Sequence, residues 1–242
     1  MKTIAIEYQR LGTKRTVTST VPTKWDEVTP KQLIVIAKNY LGECSDDLML
    51  SVLTNLNKRI ILRLDTYQKL QIAEQINFLT NYKPFSHFII DKIGILQAPK
   101  PRLQAMSFGQ FIFVDSYYND WLQSQKDEDL NKFVSALYIP KGKPFRQENL
   151  VIYELIAERY PLDVKCAISI NYRLVKEFLI HAYPLVFQKA QTTHKAKENA
   201  GWVKVFESVV GDDIVNQDKY AELSVHILLR WISKKVKENA KR

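Results

Sequence analysis

The sequence predicts a mainly α protein of the α+β class, with an N-terminal β-hairpin followed by a multi-helix, bundle-like body. Three observations carry that expectation. The stretch Val28-Thr29-Pro30-Lys31-Gln32-Leu33 concentrates helix-start signals: Thr29 and Gln32 have capping-box spacing, Pro30 falls at the first helical position where its missing N–H does no harm, and Val28 and Leu33 stand where a hydrophobic staple closes. Before it the chain reads as strand; after it, almost wholly as helix. Glycine is scarce, 7 of 242 residues, which disfavours glycine-rich phosphate loops and many-turned β folds.

Residues 2–8 alternate in part, with Ile4 and Ile6 set against Thr3, Ala5 and Glu7. Leu11-Gly12-Thr13-Lys14 reads as a turn, and Arg15 to Val21 is rich in Thr and Val. A lone hairpin is marginal in water, so this one is expected to pack on the helical body or pair with another chain. A helix follows from Thr29 to about Leu41, closed by Gly42. The segment 47–56 is apolar, Arg59 to Leu64 is strand or helix end, and Thr66 to Thr80 reads as helix with Leu70, Ala73, Ile76, Phe78 and Leu79 apolar. Pro84, Pro99 and Pro101 interrupt the stretch 81–106.

Ser107 and Gln110 then repeat the capping-box spacing, with Met106 and Phe111 at staple positions. The helix that follows, 108–122, is apolar on nearly every side and is therefore expected to be central. Asp127 to Tyr138 is its partner, stopped by Pro140, and residues 148–159 form a short helix. Asp163 to Ala182 is the clearest long helix, with Val164, Ala167, Ile168, Val175, Phe178 and Leu179 along one side and Lys165, Arg173, Lys176 and Glu177 along the other. Gln188 to Ala200 is polar and reads as a mobile connector. A helix from Gly201 to Val209, a turn at Gly211-Asp212-Asp213 and a terminal helix of roughly 20 residues follow, the last with a wide apolar face of Leu223, Ile227, Leu228, Trp231 and Ile232. Composition breaks divide the chain into a hairpin (1–24), a helical body (25–188) and a C-terminal helical pair (189–242), expected to pack as one domain.

The net charge is +9, compatible with nucleic acid, an anionic surface, an acidic partner or simple solubility. No apolar run approaches the ~20 residues that span a bilayer, and the N-terminus lacks the layout of a secretory signal. Cys44 and Cys166 have no metal or redox spacing and are expected to be reduced. No phosphate loop, dinucleotide fingerprint, HExxH, nucleophile elbow or zinc pattern occurs. None of His87, His181, His194 and His226 has a second ligand at i+3 or i+4. No catalytic residue, cofactor or metal is expected.

Two residues interrupt apolar stripes. Asp115 lies among Phe108, Phe111, Ile112 and Leu122, and Asn171 among Val164, Ile168, Val175 and Phe178. A buried carboxylate must find a cation or donors. The favoured expectation is a structural carboxylate held by a tyrosine hydroxyl, a lysine or a helix end; an enzyme built around Asp115 is the least favoured. Lys141, Lys143 and Phe145 form a basic loop with one aromatic, a weak single-strand-binding signal against the alternative of a solvated turn.

The order of landmarks carries a resemblance. Pro22-Thr23-Lys24-Trp25-Asp26-Glu27-Val28-Thr29 leads into a helix; then come Ser107-Phe108-Gly109-Gln110-Phe111, Asp115 with its aromatic run, Leu130, Ala136-Leu137-Tyr138, Tyr183-Pro184-Leu185-Val186-Phe187, and Trp202 before a lysine-rich closing helix. Over most of its length the chain resembles the uncharacterised proteins found among structural and tail-assembly genes of phages and prophages of Bacteroides-type bacteria. The resemblance implies a non-enzymatic morphogenesis role, as a virion component or tail-assembly chaperone. It places the protein in the bacterial host cytoplasm during assembly or in the virion, with other phage structural or tail proteins, or a further copy of itself, as partners. Candidate contact residues are Leu223, Ile227 and Trp231 on the terminal helix and Lys141, Lys143 and Phe145 on the loop. Nucleic-acid binding through dispersed basic surface is the alternative, and a membrane is not expected as a partner.

Overall fold

The computed structural model describes residues 1–187 and 201–240. The protein is 62% helical with a two-stranded antiparallel N-terminal hairpin, the mainly α architecture of the α+β class that the sequence predicts. It divides into two compact units, Met1–Phe85 and Ser86–Arg242. That division falls elsewhere than the composition breaks at 24/25 and 188/189: the hairpin shares a unit with the first four helices. The connector read at Gln188–Ala200 lies outside the described residues.

In the first unit β1 (Lys2–Arg10) pairs with β2 (Thr13–Val21) in register from Lys2↔Val21 to Arg10↔Thr13. Leu11 and Gly12 make the two-residue turn, with φ of 53° and 77°, the positive pair that a right-twisted hairpin requires. Glycine takes this conformation freely and leucine does not. Leu11 is also 96% exposed, so no packing offsets its strain. Leu11→Asn is expected to stabilise the hairpin by about 1 kcal/mol, since Asn tolerates the left-handed region; an unchanged urea midpoint would refute this.

The hairpin lies on helices of its own unit. Gln68 Nε2 donates to the Glu7 carbonyl at 2.7 Å, Lys2 Nζ to Gln75 Oε1 at 2.7 Å, and Ser19 Oγ to the Thr54 carbonyl. Ile6 and Val21 are buried beneath it. Helix α1 (Pro30–Tyr40) starts with the reciprocal capping box of Thr29 and Gln32. It ends in a Schellman motif at Gly42 (φ 74°), where Glu43 N–H donates to the Lys38 carbonyl at 2.8 Å and Gly42 N–H to that of Asn39 at 3.0 Å. Then follow α2 (Asp46–Leu53), α3 (Lys58–Ile61), which settles the ambiguous segment as helix, and α4 (Thr66–Gln75), opened by a second complete box of Asp65 and Gln68. On α4 the buried residue is Ile72, while Leu70 faces solvent.

The second unit is built on α5 (Phe108–Ser124), α6 (Asp127–Leu137), α7 (Leu150–Ala157) and α8 (Leu162–Ala182). Rings from three of these helices meet in its core: Tyr118, Phe133 and Tyr172 have centroids 5.0–5.3 Å apart. Three two-residue strands, β3 (Lys92–Ile93), β4 (Leu96–Gln97) and β5 (Ile139–Pro140), form an antiparallel sheet that periodicity is too short to reveal. Then come α9 (Pro184–Phe187), α10 (Gly201–Val210), α11 (Gln217–Glu222) and α12 (Val225–Asn239). Gly109 lets α5 approach α11, because a Cβ there would stand 3.3 Å from both the Cβ and the carbonyl oxygen of Ala221.

Three sequence expectations are corrected in this unit. Ser107 caps α5 by accepting from Gln110 N–H at 3.1 Å. The box is not reciprocal, however, because the Gln110 amide donates to the Ala136 carbonyl of α6 at 2.9 Å. The terminal helix is two helices, interrupted where Leu223 and Ser224 extend: Phe108 N–H donates to the Leu223 carbonyl at 2.7 Å and Val225 N–H to that of Met106 at 3.0 Å. Lys165, read as solvent-facing, is 1% exposed, with Nζ 2.6 Å from both Asp127 Oδ1 and Asn131 Oδ1 of α6.

Candidate functional site

Within the second unit, α5, α8, α9, α10 and α12 enclose an open cavity of about 1110 Å³. Its floor comes from one face of α5. Ile112, Asp115, Ser116 and Asn119 follow each other at helical spacing, so a single stripe of that helix is presented. Lys176 and Ile180 of α8 form a side wall. Val205 and Val209 of α10 and Ile232 and Val236 of α12 add aliphatic lining, and Trp202 and Trp231 aromatic lining.

Asp115 sits at the base, 2% exposed. Its Oδ1 is 2.6 Å from Lys176 Nζ and accepts from the Tyr172 hydroxyl at 3.1 Å. Its Oδ2 accepts from Trp202 Nε1 at 2.8 Å and, at 3.4 Å, from Asn119 Nδ2. The carboxylate thus has a cation and three further donors; of the partners the sequence offers, a tyrosine hydroxyl, a lysine or a helix end, the first two are both present. Burial, followed by the Asp115 charge beside it, holds the Tyr172 hydroxyl well above the usual phenol range. This hydroxyl therefore stays protonated and donating. Lys176 also approaches the Tyr118 ring at 5.6 Å. The result is a neutralised polar cluster tying α5, α8 and α10 together, a task that suits carboxylate geometry without any reaction.

No protein-family model, curated protein or solved structure matches this chain. The site must be read from its own geometry.

The other sequence candidates are dispersed. Asn171 is buried apart from the cavity: its Oδ1 accepts from Ile89 N–H at 2.5 Å and its Nδ2 donates to the His87 carbonyl at 3.0 Å. On the C-terminal segment, Leu223 lies in the extended break and is half-buried, whereas Ile227 and Trp231 of α12 are 50% and 41% exposed. Of these only Trp231 lines the cavity. Val225, Leu228 and Leu229 of α12 are buried within the unit, so the wide apolar face divides between internal packing and an exposed margin. Lys141 and Lys143 are exposed on a turn at Gly142. Phe145 is half-buried and packs its ring 5.5 Å from Phe113, on a different side of α5 from Asp115.

His226 is a structural histidine. Its Nε2 donates to the Arg102 carbonyl at 2.5 Å, and its Nδ1 lies within hydrogen-bond distance of the Tyr183 hydroxyl at 2.8 Å. Among the described residues no three His, Cys, Asp or Glu side chains are grouped to hold a metal ion, and no helix is long and apolar enough to cross a membrane. Sequence reasoning missed Lys176, Val205, Val209 and Val236 as site residues. The available signal was the pairing of an apolar stripe on α10 with Trp231, Ile232 and Val236 at i, i+1 and i+5 of α12.

Proposed function

We propose that the protein is a non-enzymatic phage or prophage morphogenesis protein, a virion component or tail-assembly chaperone, that works through protein–protein contacts. The observation that carries this reading is the open apolar cavity whose margin includes exposed Trp231. Exposed aromatic and aliphatic surface beside a concave wall is the usual make-up of a contact site. The ordered landmarks from Trp25 to Trp202 supply the phage context. The Asp115 cluster supports a scaffolding role, since each carboxylate oxygen is already engaged inside the protein. A nucleic-acid interface has less support, because Phe145 packs against Phe113.

The test is to tag the chain in a phage or prophage carrying it and to separate particles from precursors on a density gradient. Co-sedimentation with finished particles is the outcome for a virion component. Association with precursors and absence from finished particles is the outcome for a chaperone. Free protein throughout, with normal particles after deletion of the gene, would reject the reading.

A further inference from the structure

Helix α7 turns an apolar side outward. Leu150, Tyr153 and Ala157 are buried, on the side that packs against α6. A surface helix is normally polar on the opposite side. Here that side carries Val151, Ile152 and Leu155, which are 67%, 59% and 56% exposed. The β3–β4 turn extends this surface. A Cβ on Gly94 would stand 3.1 Å from the Tyr160 hydroxyl and 3.7 Å from Ile156 Cγ2, so the turn lies against the end of α7, and its next residue, Ile95, is 66% exposed. None of these residues lines the Asp115 cavity. A Val, Leu or Ile side chain offers ~100 Å² of apolar surface, so the four exposed ones leave roughly 250 Å² open. Two such faces pressed together bury roughly 500 Å², enough for the apolar centre of a standard interface of ~1,600 Å², whose rim is polar.

The charges along the same side decide what fits it. Glu148 stands in the 3₁₀ turn Gln147–Asn149 that leads into α7, and Arg159 in the turn that closes it, with its N–H on the Ile156 carbonyl at 3.3 Å. Glu148, Ile152, Leu155 and Arg159 are spaced i, i+4, i+7 and i+11, which at ~100° per residue keeps them within ~60° of one another around the helix. Glu148 and Arg159 are both exposed. The Glu148 carboxylate meets Arg146 at 3.7 Å between two exposed side chains, a weak and screened pair. The stripe is therefore acidic at its N-terminal end, aliphatic in the middle and basic at its C-terminal end. A second copy laid antiparallel complements it at every level: Ile152 meets Leu155, Val151 meets Ile156 and Glu148 meets Arg159. Each pair occurs twice, because a two-fold interface uses the same patch on both chains. Parallel pairing would instead set Glu148 on Glu148 and Arg159 on Arg159.

We propose that the outer side of α7 is a homodimer interface, in which α7 pairs antiparallel with the α7 of a second copy, Ile152 and Leu155 lie at the centre and a Glu148–Arg159 pair closes each end. The inference rests on the reading that the protein acts through protein–protein contacts and names one partner, a second copy of this chain.

The test is sedimentation velocity of the full chain over a range of concentrations. The wild-type protein is expected to shift reversibly from monomer to dimer by ~100 µM, the weak end for an interface of this size. Leu155→Glu is expected to weaken the dimer at least tenfold with an unchanged circular dichroism spectrum, since the side chain it replaces is exposed. Glu148→Arg and Arg159→Glu each bring like charges together at both ends, and each is expected to weaken the dimer at least fivefold. Mixing these two variants in equal amounts is expected to restore a dimer, because each chain then meets opposite charge at both ends; this rescue is specific to antiparallel pairing and does not depend on the Leu155 variant. A wild-type monomer at the same concentration, a dimer unaffected by Leu155→Glu, or a mixture that associates no better than either variant alone would overturn the proposal. So would a monomer whose association with particles is lost in Leu155→Glu, which assigns the face to a different protein. Particle association without a dimer removes this inference alone; a dimer without particle association removes only the phage setting.

Discussion

Asp115→Ala is expected to destabilise the Ser86–Arg242 unit by about 3 kcal/mol, because removing one member of a buried charge pair leaves the other uncompensated. The variant strands Lys176 Nζ, now 2.6 Å from the carboxylate, and deprives the Tyr172 hydroxyl and the Trp202 indole of their acceptor. The cost stays at the low end of the range for buried pairs because the Lys176 side chain is 20% exposed and water can reach it. For a unit of this size the loss corresponds to a melting temperature lower by roughly 6–12 °C. Lys176→Met added to Asp115→Ala is expected to restore part of the stability, since the unpaired ammonium is then gone. A single variant melting within a degree of wild type would show that the cluster does not hold α5, α8 and α10 together.

The second large effect is expected at Asn171. Its side chain closes a two-point bond to the backbone, accepting from Ile89 N–H and donating to the His87 carbonyl. Asn171→Ala removes the acceptor of the Ile89 N–H and a donor to the His87 carbonyl; at about 1–3 kcal/mol for each bond lost from a buried group, a total of about 2–6 kcal/mol is expected. The loss should be local in hydrogen exchange. The Ile89 amide should exchange faster than its neighbours in α8, because the segment at 87–90 is anchored there and also where the Tyr138 hydroxyl donates to the Ile90 carbonyl at 2.5 Å. Undiminished protection of Ile89 in the variant would mean that the bond does not order the segment.

These two residues mark how far the sequence could be read. Both stand out as polar positions in apolar stripes, and both are buried. For Asp115 the partner was legible only in kind, as a tyrosine hydroxyl, a lysine or a helix end; that Tyr172 and Lys176 both serve, with the indole of Trp202, was not. Lys165 shows the opposite error. A helical wheel sorts residues by polarity, and a lysine beside charged neighbours reads as exposed. Its burial depends on Asp127 and Asn131 of α6 standing opposite, and no pattern within α8 reports that. The break at Leu223–Ser224 was hidden in the same way, since apolar spacing runs on through it while the carbonyl and amide that hold it open belong to Met106 and Phe108.

What the amino-acid sequence determined by itself is the fold class, the hairpin and the start and stop of several helices. These follow from interactions within a few residues: the Leu11-Gly12 turn, the Thr29–Gln32 box and the Gly42 cap. Tertiary structure alone decided which polar groups are satisfied, that Gln110 reaches α6 instead of closing its own box, and that residues of α5, α8, α10 and α12 line one cavity with Asp115. The physical reason is one of range. Caps and turns are local free-energy minima of the backbone, whereas the satisfaction of a buried charge and the lining of a cavity depend on side chains that only folding brings together.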